Sequence, residues 1–270
     1  MIDVKSITNV KRLKLMHQVC SEQSMQSFEE SLSKTLSKVD KELFEILRFF
    51  SLIDNCKNID MDSLDPYLAN NRKVIVIKSD SDLKNHIKAI KESRIIGFDT
   101  EKKPTFIKNQ KENKIAIVQI ATKQKSYVIQ VKALSNLKPI FQILESPKII
   151  KVGIGLKNDK SDLRKHYKVN MSRVIDLNEV FKDVLGYFQE IGTKKLTAVV
   201  LNQKIQKSKK TGKSNWEIAT LTPSQIQYAS DDACVVYDIL IKLFQDHKFI
   251  LQLMPDWVQA IWKSYLEDSK

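Results

Sequence analysis

The chain has 270 residues, 42% of them hydrophobic, which suits one large domain or one domain with an appendage. Its formal net charge is +13, and no apolar run approaches the roughly 18 residues of a membrane span, which excludes a transmembrane helix. Three scattered cysteines (Cys20, Cys56, Cys234) exclude a disulfide scaffold and a cysteine metal site, and read as a reduced, intracellular chain of cytoplasm or nucleus.

Met1 to Lys5 leads into no apolar signal segment. Residues 4–21 hold Lys5, Lys11, Arg12 and Lys14 without an acid, so they read as an amphipathic helix or as an organelle-import segment. From Met25 to Ile53 apolar side chains (Phe28, Leu32, Leu36, Val39, Leu43, Ile46, Phe50) recur with a mean spacing of 3.5 residues. That spacing predicts a long amphipathic helix or helix pair. It permits self-association, docking on the main domain or docking on a partner. Residues 54–72 are polar and turn-rich and are expected to form a linker.

The charge is unevenly placed. Residues 1–70 carry 9 basic and 11 acidic side chains, so residues 71–270 carry 36 basic and 21 acidic, an excess of +15. A polyanionic partner accounts for such an excess, as does a lysine-rich composition.

From residue 73 onward strands and helices alternate. Strands are expected at 74–77, 95–98, 115–121, 127–131, 149–153 and 174–177. Helices are expected at 80–93, 137–144 and 159–167, and from 178 to the end. An early meander followed by strand–helix alternation predicts an α/β domain with a mixed sheet.

Three blocks carry the chemistry. In Gly97-Phe98-Asp99-Thr100-Glu101, period two puts Asp99 and Glu101 on one strand face and Thr100 on the other. Paired carboxylates repel unless a cation joins them. In Val152-Gly153-Ile154-Gly155-Leu156-Lys157-Asn158-Asp159, the glycines permit a sharp turn that delivers Asp159. The third glycine of a dinucleotide fingerprint is missing. Asp162, three positions on, is read as a solvated first-turn acid. In the third block, Thr222-Pro223-Ser224-Gln225 starts a helix with a capping box. Tyr228 and Asp232 lie one turn apart on one face, and Asp231 points away from them, toward solvent. Small Ala229 and Ala233 let that helix approach the sheet.

Together the blocks resemble the DEDD superfamily of 3′–5′ exonucleases, in the tyrosine branch that holds ribonuclease D and the exonuclease domain of the Werner helicase. The resemblance adds the strand Ile115–Ala121, Leu163, the segment Lys195–Leu201 and Ser214-Asn215-Trp216, and it covers roughly residues 73–250. It departs after Glu101, where Lys102-Lys103-Pro104 replaces an aromatic residue common in relatives, and at Asp231, where relatives often have Thr or Arg.

The resemblance implies an RNase H-like (DnaQ-like) fold, a mixed central sheet flanked by helices, with an N-terminal helical extension. The expected division is 1–70 for the extension and linker, 71–250 for the exonuclease domain and 251–270 for a C-terminal helix packed on it. It implies that Asp99, Glu101, Asp159 and Asp232 hold two divalent cations, Mg²⁺ or Mn²⁺. Tyr228 then orients the attacking water. The partner is a DNA or RNA 3′ end. Thr100, Lys207, Lys209, Lys210, Lys213 and Trp216 are the expected nucleic-acid contacts, with Lys204–Lys213 a loop over the phosphate backbone. The alternatives are an RNA-trimming or short-oligonucleotide hydrolase on the same scaffold and an inactive nucleic-acid-binding module.

Overall fold

The computed structural model describes residues 46–268, apart from 47, 51, 70, 71, 106–111 and 188. The stretch 4–21 and most of the periodic segment 25–53 lie outside the described residues.

Six strands form one sheet: β1 (Lys73–Ile77), β2 (Ile95–Lys102), β3 (Ile115–Ala121), β4 (Lys125–Gln130), β5 (Ile150–Gly153) and β6 (Val174–Asp176). Their spatial order is β1–β4–β3–β2–β5–β6. β2, β3 and β4 pair antiparallel in a meander. β1 joins β4, β5 joins β2 and β6 joins β5 in parallel. The sheet is therefore mixed, as the element order predicts. β2 runs four residues further than expected, through both acids of the first block to Lys102.

Alternation along β2 divides the molecule into two layers. Ile95 belongs to one apolar cluster, while Ile96 and Phe98 belong to the other. The second cluster is covered by α1 (Asp80–Lys91), α2 (Lys138–Glu145) and α3 (Lys157–Tyr167). The first is covered by α4 (Pro223–Asp246), followed by α5 (Lys248–Leu253) and α6 (Asp256–Glu267). Period two continues past Phe98, so Gly97, Asp99 and Glu101 face the α4 layer and Thr100 faces the α3 layer.

α4 starts as its sequence predicts. The Thr222 hydroxyl accepts from Gln225 N at 3.3 Å, and Gln225 Oε1 accepts from Thr222 N at 3.0 Å, a reciprocal cap. α4 lies so close to β2 that a Cβ placed on Gly97 would fall 1.9 Å from the Ala233 carbonyl oxygen. A glycine is obligatory there, and Ala229 and Ala233 are fully buried beneath the helix.

The stretch before β1 is anchored rather than free. The helical residues 48–50 and 52–55 place Phe49, Phe50 and Ile53 in the α4 cluster, with Phe49 stacked on Phe181 at 5.5 Å between ring centroids. Farther on, Tyr67 and Arg72 converge on Asp238 of α4. The Arg72 guanidinium makes two bonds to that carboxylate (2.6 and 2.8 Å) and one to the Thr122 carbonyl (2.7 Å). The Tyr67 hydroxyl donates to the same carboxylate at 2.6 Å. This buried fork replaces the expected polar linker with a fixed strap.

The region from 178 to 222 is not the expected helical run. It breaks into Leu177–Glu179 continuing into a π-turn, Val180–Val184, and Thr193–Leu196 continuing into a second, Thr197–Leu201. Positive φ at Gly186 (77°) and Asn202 (53°) interrupts the helical path. Gln203–Lys204 then pairs in parallel with Asp65–Pro66 as a two-residue bridge.

Candidate active site

β2 presents Asp99 and Glu101 to α4, and α4 returns Asp232 toward them from the opposite side of the same interface. The Gly97–Ala233 contact sets this spacing, because Asp99 and Asp232 are near neighbours of the two residues that touch. Burial pushes the Asp99 carboxyl well above its ordinary range, and the charges of Asp232 and Asp159 push it further. Glu101 is raised to about 9, first by burial and then by Asp99 and Asp232. Burial also raises Asp232, against the lowering effect of Lys207. Three carboxylates thus share one low-dielectric space and repel each other within it.

Asp159 reaches the site by a separate route. Gly155 adopts φ +71°, a conformation glycine favours, and the backbone turns there into α3. Asp176 at the end of β6 holds this turn by accepting from Gly155 N (2.9 Å) and Leu156 N (2.7 Å). Asp159 sits in the first turn of α3, and its Oδ1 accepts a short hydrogen bond from the Thr100 hydroxyl. Thr100 faces away from Asp99 and Glu101 as period two requires, and on that other face it meets Asp159. Its hydroxyl is therefore committed to an acid of the site, not free for the substrate contact expected of it. The acids straddle the end of β2, with Asp159 on the α3 side and Asp232 on the α4 side. A cleft of about 500 Å³ lined by Asp99, Thr100, Glu101 and Asp159 opens there.

Tyr228 lies one turn before Asp232 on α4. Its phenol is raised well above the ordinary value, by burial first and then by Asp232, Glu101 and Asp99. It therefore keeps its proton at neutral pH and is available as a hydrogen-bond donor. A second cleft, of about 490 Å³, runs from Tyr228 past Gln227 and Asp231 to Leu68, which is 63% exposed. The strap before β1 thus forms one wall of the site, a feature its polar sequence does not advertise.

Several expected positions need correction. Asp162 is buried, not solvated. It accepts from Lys102 Nζ at 2.5 Å and faces His166 Nε2 at 4.0 Å. With Glu112 these two residues bring three donor atoms within 4.8 Å of one another, although Lys165 already pairs with Glu112. Asp231 is also buried and accepts from Gln227 Nε2 at 2.8 Å. Burial raises it to about 6. Helix periodicity puts both acids in water because it cannot show what packs over a first turn or a helix flank.

Trp216 is only 1% exposed. Its Nε1 donates to the Gly212 carbonyl (3.2 Å), and its ring lies 5.9 Å from that of Tyr228. It props the tyrosine and cannot stack on a base. Lys209, Lys210 and Lys213 are exposed on and after the short helical turn Lys209–Gly212. Lys207 is not exposed with them. Its Nζ lies 2.9 Å from Asp232 Oδ1 and 5.9 Å from the centre of the Tyr228 ring.

The residues fit hard divalent cations. All the candidate ligands are carboxylates, and the field at Asp99 and Glu101 demands positive charge. Oδ1 of Asp232 is buried, and Lys207 Nζ meets it at 2.9 Å. A buried carboxylate is costly unless a cation meets it, and here the chain itself supplies one.

The sequence model of a family described as 3′–5′ exonuclease matches residues 74–247 of the chain. A 3′–5′ exonuclease of Arabidopsis thaliana is 29% identical over 152 residues, covering 56% of this chain and 52% of that protein. The EXO domain of Aedes aegypti Nibbler superposes with a TM-score of 0.59 at 20% identity, covering 70% of this chain and 94% of the domain. Trypanosoma brucei RNase D in complex with RNA U12 superposes with a TM-score of 0.59 at 17% identity, covering 65% and 63%. At these identities the two structures establish the fold, which is RNase H-like. The chain spans about half or less of the length of the curated relatives it matches.

Proposed function

The chain belongs to the DEDD-type 3′–5′ exonuclease family, and on that premise we propose that it hydrolyses phosphodiester bonds from the 3′ end of DNA or RNA, releasing 5′ nucleoside monophosphates. The observation that carries this reading is the convergence of Asp99, Glu101 and Asp232 in one buried space, with Asp159 at its edge and Tyr228 one turn from Asp232. A binding module has no need of four mutually repelling carboxylates.

Asp99, Glu101, Asp159 and Asp232 would hold two divalent cations, which supply an acidified water and charge neutralisation at the phosphate. The protein contributes the rest. Tyr228, held protonated, donates a hydrogen bond in the cleft and orients the water. Thr100 fixes the Asp159 carboxylate. Lys157 and Arg164 face a basic cleft of about 520 Å³ on the outer side of α3. Together with exposed Lys209, Lys210 and Lys213 it gives a phosphate backbone two cationic flanks. Residues 71–250 would carry the activity, with 1–70 as an appendage whose described part straps onto α4.

The test is digestion of end-labelled DNA and RNA oligonucleotides with Mg²⁺, Mn²⁺ or EDTA. We expect mononucleotide release that requires the cation and disappears in Asp99→Ala and Asp232→Ala. Full activity in either variant would sink the assignment. Cation-independent binding without release would identify the inactive module. Release confined to RNA or to very short substrates would favour the trimming or oligonucleotide-hydrolase reading.

A further inference from the structure

Among the described residues, one cation pairs with any of the four site acids, and it comes from the chain itself. Lys207 Nζ lies 2.9 Å from Asp232 Oδ1 with 24% of its side chain exposed, whereas its neighbours Lys209 and Lys210 are exposed. The backbone delivers it there. Gln203–Lys204 is bridged to Asp65–Pro66, Ile205 is buried, and Ser208 caps the turn that follows. Lys207 lies between two fixed points, and its side chain turns inward. Its Nζ also donates to Thr193 Oγ1 at 3.4 Å. The pair it makes with Asp232 neutralises charge, and the part of the side chain that stays exposed leaves the ammonium a way out to solvent.

We propose that Lys207 is the built-in counter-cation of the acid cluster, sharing the Asp232 carboxylate with divalent cations in mutually exclusive fashion. It rests on the reading of the cluster as a cation site. Two consequences follow. Lys207 holds the acids together when cations are scarce, which keeps the site assembled. Divalent cations must also displace the ammonium, so the apparent affinity is lowered by the fraction of molecules in which Lys207 is seated. A displaced Lys207 points along the same loop as Lys209 and Lys210, toward the face on which a phosphate backbone would lie. It is a positioning residue, acting through Asp232.

The experiment has two arms on the full chain. In the first, Mn²⁺ is titrated by electron paramagnetic resonance into the wild-type protein, Lys207→Met and Lys207→Arg. Lys207→Met is expected to bind Mn²⁺ about tenfold more tightly, as for a seat occupied nine times in ten, and Lys207→Arg to resemble wild type. Equal or weaker binding by a folded Lys207→Met overturns the proposal. If neither protein binds Mn²⁺ and both are folded by circular dichroism, the cation-site reading itself fails and takes this one with it. The second arm needs no variant. Limited acetylation of wild-type protein, read by mass spectrometry, is expected to modify Lys207 severalfold faster with Mn²⁺ than with EDTA, with Lys209 and Lys210 unchanged. An unchanged or slower Lys207 rate overturns the proposal even if Lys207→Met does not fold.

Discussion

Without a divalent cation, the carboxylates of the site should make the protein less stable as pH rises, the reverse of most proteins on the acid side. Glu101 moves from 4.5 in the unfolded chain to about 9 in the folded one. Between those values the folded state holds a proton that the unfolded state has released. Stability therefore falls with rising pH, from fully present below 4.5 to lost above about 9. Asp99 and Asp232 act in the same direction, as does Asp231, raised to about 6. Lys151 acts in the other. Fully buried in β5, its amine donates to the Ser146 and Ile149 carbonyls and is lowered by burial to about 7. It releases its proton on folding above that pH and so adds stability as pH rises from 7 toward 10.5. The clean window is therefore pH 4.5 to 7, which is 2.5 pH units. At about 1.36 kcal/mol for each, Glu101 alone contributes a loss with a ceiling of about 3 kcal/mol. Cations held by the ionised acids reverse the balance, because the folded state no longer needs the protons. Urea denaturation across the window, in EDTA and in Mg²⁺, checks this. The EDTA curve should fall and the Mg²⁺ curve should not, with Glu101→Gln making the fall in EDTA shallower. A flat or rising EDTA curve, or identical curves with and without Mg²⁺, would refute the mutual burial of these acids.

Three further outcomes test the frame around the site. Gly97→Ala drives a methyl to within 1.9 Å of the Ala233 carbonyl and should cost more than about 2 kcal/mol in urea denaturation, because both atoms are fixed backbone. A cost below about 0.5 kcal/mol would mean that α4 can retreat from β2, and that the spacing of Asp99 and Asp232 is not set there. Arg72→Met leaves Asp238 buried with only Tyr67 as partner, and should cost about 3–5 kcal/mol. Measured with the same assay, a negligible change would show that the strap before β1 is not held by that fork. Lys209→Gln, Lys210→Gln and Lys213→Gln together should flatten the salt dependence of oligonucleotide binding by about one log–log unit for each phosphate these lysines neutralise. An unchanged slope in a filter-binding titration would make this run a solvated surface.

The parts of this site that are legible before folding are those whose answer is local. Asp99 and Glu101 share a face because β-strands alternate, and Tyr228 and Asp232 because helices turn every 3.6 residues. Both placements follow from spacing. The cap at Thr222 and the turn at Gly155 are equally readable, since each is encoded within a few residues. Thr100 shows the boundary. Period two correctly turns it away from the paired acids, but only the fold puts Asp159 on that other side. Asp176, which holds the Gly155 turn by two backbone bonds, gives no signal at all, because its partners lie about twenty residues upstream. Asp162 and Asp231 escape the sequence for the same reason: the burial of a polar side chain depends on what crosses over it.

Lys207 is the sharpest case, because composition does not show its contact with Asp232. It sits in a run of lysines, and a run of lysines reads as a surface for phosphate. What separates it from Lys209 and Lys210 is the path of four residues. A two-residue bridge to Asp65–Pro66 and the buried Ile205 fix the chain on one side, and the Ser208 cap fixes it on the other. Bridge and strap also explain why Pro66, Tyr67, Leu68 and Arg72 belong to the frame of the site. Tyr67 and Arg72 anchor to Asp238, six residues beyond Asp232 on the same helix, while Pro66 and Lys204 wall the cleft beside Tyr228. A segment that reads as a linker therefore sets the loop that aims Lys207 at the carboxylates. Loosening the strap, as in Arg72→Met, should raise the acetylation rate of Lys207 in EDTA toward the rate seen with Mn²⁺. If strap and lysine are mechanically independent, that rate will stay at the wild-type value while stability falls.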